Sequence, residues 1–282
     1  MNRDRLGLGP ALLFCPADRP DRYPKALERA DAVILDLEDG VAPARRVAAR
    51  SALVGFGEEE TGEADRVIVR VSPVSSPDHV ADVAAVLRTP FRTIMLAKTE
   101  ADEQVTALAS AVDGARVLAL CETAAGVLHA AAIAEHPSTV GLMWGAEDLI
   151  VSLGGTASRT PAGAYRDVAR HARSAVLLAA AAHGVDAIDA VHVDLDDLNG
   201  LAEEAADAVA SGFSATACLH PRQVAVVREA YRPSREETER ARRVVQAARD
   251  AAGAFRLDGQ MVDEPLIAQA RAVVKRAESF GE

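Results

Sequence analysis

Eight short apolar runs punctuate the chain: Ala11–Cys15, Ala32–Leu37, Val67–Val71, Thr93–Ala97, Val117–Cys121, Val140–Trp144, Ala187–Val191 and Ala215–Leu219. Each is apolar nearly throughout rather than alternating, the pattern of a strand covered on both faces. Longer segments with helix signals separate them. Pro43–Val54 carries arginines on one side and Ala and Val on the other, and Ser76-Pro77-Asp78 opens a segment to Leu87 with proline at an early helical position. Glu100–Ala111 and Thr123–Glu135 follow, the second stopping before Pro137. Pro161 is expected to open a long helix to about His183, closed by Gly184, and Leu198–Ala210 stops at Ser211-Gly212. Strand then helix, eight times over, predicts an α/β fold, a (β/α)8 TIM barrel; a doubly wound open sheet is the alternative, and eight units favour closure.

The pattern continues past the eighth strand. Pro221–Ala230 reads as the eighth helix, and Ser234 as the N-cap of a helix over Arg235–Ala252. Asp258-Gly259 suits a tight turn between Phe255-Arg256-Leu257 and Met261-Val262, and Pro265–Ser279 forms a last helix. Residues 1–230 are therefore expected to make a catalytic barrel. Residues 231–282 are expected to make an extension of helix, short hairpin and helix, which caps the barrel or docks on a neighbouring subunit.

Barrel active sites lie where strands end, so the residues closing each run carry the candidate chemistry. The first strand leads to Asp18, Arg19, Arg22 and Lys25, the second to Asp36, Glu38 and Asp39, and the third to Arg70. The fourth gives Lys98, the fifth Glu122, the sixth Glu147 and Asp148, the seventh Asp189 and His192, and the eighth His220. Carboxylates gathered in one mouth repel one another, and a hard divalent cation relieves this. Mg²⁺ takes one or two protein carboxylates and leaves its other positions to water and substrate. Glu122 and Asp148, on adjacent strands, are the expected ligand pair. Arg70 either makes a salt bridge to Asp36 or Glu38 or offers a forked donor to a substrate oxygen. Lys98 admits a Schiff base with a ketone or an ion pair with Glu122 or Glu38. The cluster Arg19, Arg22 and Lys25 beside a helix start can hold phosphates.

Composition narrows the partners. A net charge of −11 argues against a nucleic-acid partner but leaves room for a small anion on a local basic cluster. Cys15, Cys121 and Cys218 are far apart in apolar runs, as reduced core residues of a cytoplasmic protein would be, and no run is long enough for a membrane span. No nucleophile elbow, Walker loop or dinucleotide fingerprint is present.

Several motifs stand in order: Leu13-Phe14-Cys15-Pro16-Ala17-Asp18-Arg19-Pro20, Ile34-Leu35-Asp36-Leu37-Glu38-Asp39-Gly40-Val41, Arg70-Val71, Glu122-Thr123-Ala124, Gly145-Ala146-Glu147-Asp148-Leu149, Ala187-Ile188-Asp189, His220-Pro221 and Gly259-Gln260-Met261-Val262-Asp263-Glu264-Pro265. Together they resemble stand-alone citrate lyase beta-subunit-like (CitE-like) proteins of the HpcH/HpaI aldolase, malyl-CoA and citramalyl-CoA lyase family. The resemblance implies a Mg²⁺-dependent barrel, with Mn²⁺ as a possible substitute, that forms a homotrimer or hexamer. It implies Glu122 and Asp148 as metal ligands, with Arg70, Asp263 and Glu38 as the catalytic set. Gly145, Ala146 and Glu147 would cradle the keto-acid carboxylate together with Arg70, and Asp263 would enter a neighbouring subunit's site. The expected substrate is a CoA thioester held by Arg19, Arg22 and Lys25, cleaved to acetyl-CoA or propionyl-CoA and a 2-oxo acid. A malyl-CoA thioesterase, or a citrate lyase beta chain acting on citryl-ACP in a multi-subunit complex, is the alternative. Ala125, Ser72 and Ala97 stand where the family often has Arg, Asn and Pro, departures that bear on substrate choice.

Overall fold

The computed structural model describes residues 5–59, 62–251 and 253–281. Eight strands close into a barrel in chain order: β1 (Ala11–Pro16), β2 (Ala32–Asp36), β3 (Val67–Val71), β4 (Thr93–Leu96), β5 (Arg116–Cys121), β6 (Thr139–Trp144), β7 (Asp186–Asp189) and β8 (Ala215–Cys218). All neighbours pair in parallel, and β1 closes on β8 through Ala11↔Thr216 and Leu13↔Cys218. The TIM-barrel expectation holds, with strand ends within two residues of the apolar runs.

Alternation along each strand explains the near-continuous apolar runs. Leu12, Ile34, Ile68, Met95, Leu118, Leu120, Met143 and Ile188 fill the barrel interior. Their neighbours Leu13, Val33, Leu35, Val67 and Val69 are equally buried on the outer, helix-covered face. Each fully buried Leu or Ile contributes about 2 kcal/mol by area, an upper figure against an extended chain. The chain before β1 joins this core: Leu6 packs into the interior cluster, and its N–H donates to Asp186 Oδ2 at 2.9 Å.

β6 departs from even pairing. Val117 faces Thr139 but Leu118 faces Gly141, so Val140 is an extra residue in the ladder. The bulge resets the side-chain alternation of everything after it. Leu120 then stands beside Met143, and Cys121 beside Trp144.

The helices differ most from expectation in three places. The segment expected as one helix over Thr123–Glu135 is two, Ala124–Leu128 and Ala130–Glu135, broken at His129, whose Nδ1 bonds the Glu100 carbonyl oxygen. A short helix, Ala146–Ser152, follows β6 directly, where the sequence pattern announces none. The helix expected from Pro161 begins only at Asp167. Gly163, at φ +87°, and the hydrogen bond from Thr160 N–H to the Ala164 carbonyl turn the chain there instead.

Contacts divide the chain into two compact units, Met1–Val227 and Arg228–Glu282. The second holds two helices, Arg235–Asp250 and Glu264–Ser279, and the hairpin β9 (Phe255–Leu257) and β10 (Gln260–Val262). Ala241, Val244, Val262, Ile267 and Ala270 form its own apolar cluster. Ser234 caps the first helix in a full capping box with Glu237. The expected end of that helix at Ala252 lies outside the described residues. No helix among the described residues is long and apolar enough to cross a membrane.

Candidate active site

The alternation that fills the barrel with Ile34, Ile68 and Leu120 places Asp36, Arg70 and Glu122 two residues further on, at the C-terminal mouth. Asp36 and Arg70 are direct partners in the β2–β3 ladder. Their side chains meet in a fork: Arg70 Nε donates to Asp36 Oδ1 at 2.7 Å and Nη2 to Oδ2 at 2.6 Å. Arg70 Nη1 lies 3.0 Å from Glu38 Oε2, and the Phe14 ring covers the guanidinium at 5.0 Å. The salt-bridge alternative for Arg70 is therefore realised with both acids. Burial alone would lower the Arg70 pKa, but Asp36, Glu38 and Glu122 more than reverse this and hold it charged. Asp36 also accepts the backbone N–H of Glu38 and Gly40, so one carboxylate fixes both the arginine and the loop after β2.

Glu122 is 3% exposed. Burial first, and Asp148 second, push its carboxyl up to about 8, against the pull of Lys98 and Arg70. Gly145 makes this position possible: a Cβ there would lie 2.8 Å from Glu122 Oε2 and 2.9 Å from Glu122 Cβ. Asp148 sits in the first turn of the helix Ala146–Ser152, and Lys98 lies between the two acids. Its Nζ is 3.3 Å from Asp148 Oδ1 and 3.9 Å from Glu122 Oε1, and also 2.5 Å from Glu38 Oε1 and 3.1 Å from Asp39 Oδ2. Lys98 has φ +48°, rare for a residue with a side chain, and this turns its N–H toward Glu122 Oε1 at 3.2 Å. Desolvation opposes the Lys98 charge, yet the surrounding carboxylates raise its pKa. A Schiff-base lysine needs the opposite shift, so the aldolase alternative for Lys98 has no support in this geometry.

Asp36, Arg70, Glu122, Gly145, Ala146, Glu147 and Asp148 line one cavity of about 290 Å³. Phe14, Leu120, Met143, Val191 and Leu219 give it an apolar wall. Glu38 is not part of its lining; it stands behind, spanning Arg70 and Lys98. Glu147 turns its carboxylate to the Ser158 hydroxyl at 2.6 Å and reaches the cavity next to Gly145 and Ala146. A second groove of about 570 Å³ is lined by Arg22 and Lys25, and shares Phe14, Pro16 and Leu219 with the first. Arg19 is absent from that lining and forks onto Asp21 at 2.9 and 2.8 Å. Asp263 stands at the N-cap of the helix Glu264–Ser279, yet its side chain makes no capping hydrogen bond.

Three other strand-end residues have structural partners. Asp189 binds Trp144 Nε1 at 2.6 Å and the Arg173 guanidinium. His192 Nδ1 meets Glu204 at 2.9 Å, and His220 accepts the Arg222 N–H. The expected catalytic, metal and substrate-binding sets left out Asp36, Asp39 and Lys98, although the sequence offers Asp36 as a salt-bridge partner of Arg70 and Lys98 as a Schiff-base or ion-pair lysine. Asp36 was detectable, since it shares the alternation of Ile34 with Arg70 directly across the ladder.

Among the described residues no group of three or more His, Cys, Asp or Glu forms a ready-made metal cluster. Among the carboxylates at the mouth, Glu122 and Asp148 make an all-oxygen pair suited to Mg²⁺, which would keep water and substrate oxygens as its other ligands. Among the described residues, Asp36, Glu38, Asp39, Glu122 and Asp148 are paired here with Arg70 and Lys98, so the donor set fits an added cation.

The chain is similar to several known proteins. Residues 162–282 match a family described as C–C bond lyase of the TIM-barrel fold. A citrate lyase subunit beta-like protein of Mycobacterium tuberculosis is 52% identical over 269 residues, spanning 95% of this chain and 96% of that protein. The crystal structure of the M. tuberculosis protein CitE in complex with magnesium, acetoacetate and coenzyme A superposes with a TM-score of 0.90 at 51% identity, covering 97% of this chain and 99% of the other. Human mitochondrial citramalyl-CoA lyase is 30% identical over 299 residues, covering 96% of this chain and 86% of that protein. Residues 11–221 match the HpcH/HpaI aldolase/citrate lyase family, and the chain belongs to that family of carbon–carbon lyases.

Proposed function

We propose that the barrel is a Mg²⁺-dependent acyl-CoA lyase acting on a malyl-CoA or citramalyl-CoA type 3-hydroxyacyl-CoA, giving acetyl-CoA or propionyl-CoA and a 2-oxo acid. The observation that carries this reading is the convergence of buried Glu122 and Arg70 with half-buried Asp148 on one cavity at the strand ends. It is supported by the magnesium, acetoacetate and coenzyme A bound by the M. tuberculosis relative and by the activity named for the human one. Glu122 and Asp148 would hold the cation, which when bound supplies Lewis-acid polarisation of a substrate oxygen. The backbone around Gly145, Ala146 and Glu147 would receive the carboxylate of the oxo-acid half, with Gly145 permitting the close approach.

In cleavage the substrate hydroxyl would give up its proton to water, its oxygen would form the carbonyl, and the electron pair of the breaking carbon–carbon bond would pass into the thioester enolate. Arg70, locked in place by Asp36 and Glu38, would stabilise the oxyanion charge that develops. Glu38, which does not line the cavity, would act by positioning Arg70 and Lys98. Asp263 of a neighbouring subunit would deliver the proton that converts the thioester enolate to the acetyl group. Its N-cap carboxylate makes no capping bond, and it belongs to a separate compact unit, both suited to that task in a homotrimer. Arg22 and Lys25 would bind CoA phosphates in the adjoining groove, while Arg19 contributes through its pair with Asp21. The apolar wall of Phe14, Leu120, Met143, Val191 and Leu219 favours a citramalyl-type methyl group over a second carboxylate.

The test is product analysis of the purified chain with citramalyl-CoA, with Mg²⁺ and with EDTA. Pyruvate and acetyl-CoA, lost on chelation, are expected. Free citramalate with free CoA would instead establish hydrolysis. No turnover of any free CoA thioester would point to a subunit that needs an acyl-carrier partner.

A further inference from the structure

Lys98 has no assigned part in the chemistry above, yet its ammonium lies within 4 Å of four carboxylates. It lies 3.3 Å from Asp148 and 3.9 Å from Glu122, the two acids proposed for the metal. It also lies 2.5 Å from Glu38 and 3.1 Å from Asp39, which belong to the loop after β2. The backbone adopts φ +48° to place it there, a conformation that costs a side-chain-bearing residue about 1 kcal/mol. The side chain is 28% exposed and Asp39 58%, so the ammonium has an open route toward the solvent edge of the mouth.

We propose that Lys98 is a built-in cation that competes with the divalent metal for Glu122 and Asp148, so that the metal is held tightly only when a 2-oxo acid chelates it as well. This rests on the reading that Glu122 and Asp148 are the metal ligands. Without the metal, the ammonium partly neutralises those acids and keeps the mouth assembled. When the metal takes them, Lys98 falls back on Glu38 and Asp39, whose charges compensate it there. Two cations drawing on the same acids repel each other. A negatively charged 2-oxo acid offsets that repulsion, so metal and oxo acid bind with positive coupling, each raising the other's affinity by the same factor. Entry of the metal is thereby tied to the presence of substrate.

The experiment uses Mn²⁺ as a paramagnetic probe, titrated by EPR into the full-length chain after chelator treatment, with and without pyruvate. The wild-type protein is expected to bind Mn²⁺ weakly alone and about tenfold more tightly with pyruvate. Lys98→Met is expected to bind Mn²⁺ alone about tenfold more tightly than wild type, with the pyruvate effect reduced, because a neighbouring positive charge is gone. Lys98→Arg keeps the charge and is expected to keep the wild-type coupling. Unchanged or weaker Mn²⁺ binding by a folded Lys98→Met protein overturns the proposal. Should that variant not fold, Lys98→Gln takes its place, and tighter or unchanged Mn²⁺ binding decides in the same way. Glu122→Gln separates the two levels. If it leaves Mn²⁺ binding intact, the metal assignment itself falls. If it abolishes binding while Lys98→Met shows no gain, only the role of Lys98 falls.

Discussion

Gly145→Ala isolates the contact between β6 and Glu122. Gly145 has φ −131° and ψ 124°, which alanine adopts without strain, so only the added methyl matters. That methyl would stand 2.8 Å from Glu122 Oε2 and 2.9 Å from Glu122 Cβ, where ordinary contact begins near 3.4 Å. The second distance decides the outcome. A carboxylate end can swing aside, but a Cβ moves only with its backbone, and Glu122 is 3% exposed with neighbours all round. Overpacking of this kind costs about 1–3 kcal/mol, which lowers Tm by roughly 3–10 °C for a chain of this size. Displacing the carboxylate proposed to hold the metal by several tenths of an ångström should lower kcat/KM by about tenfold, against the ~100-fold that a 1 Å misplacement costs. The assay is steady-state turnover of citramalyl-CoA across a Mg²⁺ titration, beside thermal melting. A variant with wild-type turnover and wild-type metal dependence would refute the reasoning, even if its Tm had fallen.

Three further outcomes follow from the structure. Because Glu122 is raised to about 8 from an ordinary 4.5, the metal-free native state keeps a proton that the unfolded chain gives up. The stability this group contributes is full below 4.5 and is lost as pH rises through about 8, so the chelated protein should melt progressively lower across that window. A cation must displace the same proton, so Mn²⁺ affinity should rise about tenfold per pH unit from pH 6 and level off above about 8; a flat profile in calorimetric titrations between pH 6 and 7 would contradict this. Asp189→Ala removes the acceptor shared by Trp144 and Arg173 and should cost about 2–4 kcal/mol in urea unfolding, toward the low side because Asp207 still holds Arg173. Its kcat should stay near wild type, since Asp189 does not line the 290 Å³ cavity; a large loss of turnover in folded protein would count against that placement.

Strand positions were legible because burial on both faces leaves an unbroken apolar run, and the polar residue that ends each run marks the mouth. Helix starts were less legible. Pro161 fits a first helical turn, but Gly163 follows two residues later, and the chain turns there before helix begins at Asp167. Within the site, Glu122, Asp148 and Arg70 could be named as strand-end residues. The fork between Arg70 and Asp36 could not be told from a substrate-facing arginine, because both outcomes need the same residue at the same strand end. The place of Lys98 depends on a left-handed backbone angle that no side-chain pattern announces. The ion pair of Lys98 with Glu38 was one of the alternatives the sequence offered, whereas the turn of Arg19 back onto Asp21, two residues on, depends on side-chain placement that the linear pattern does not carry.

The extra residue Val140 in β6 has a consequence for anyone who would transplant this site. Grafting only the visible chemistry, Glu122 on one strand and Gly145 to Asp148 on the next, into a barrel with evenly paired strands would fail by one position. Trp144 would then point at the grafted glutamate, and an indole would occupy the place where glycine is needed. The portable unit is the strand pair together with its irregularity, and a design that smooths the ladder loses the site while keeping every residue that names it.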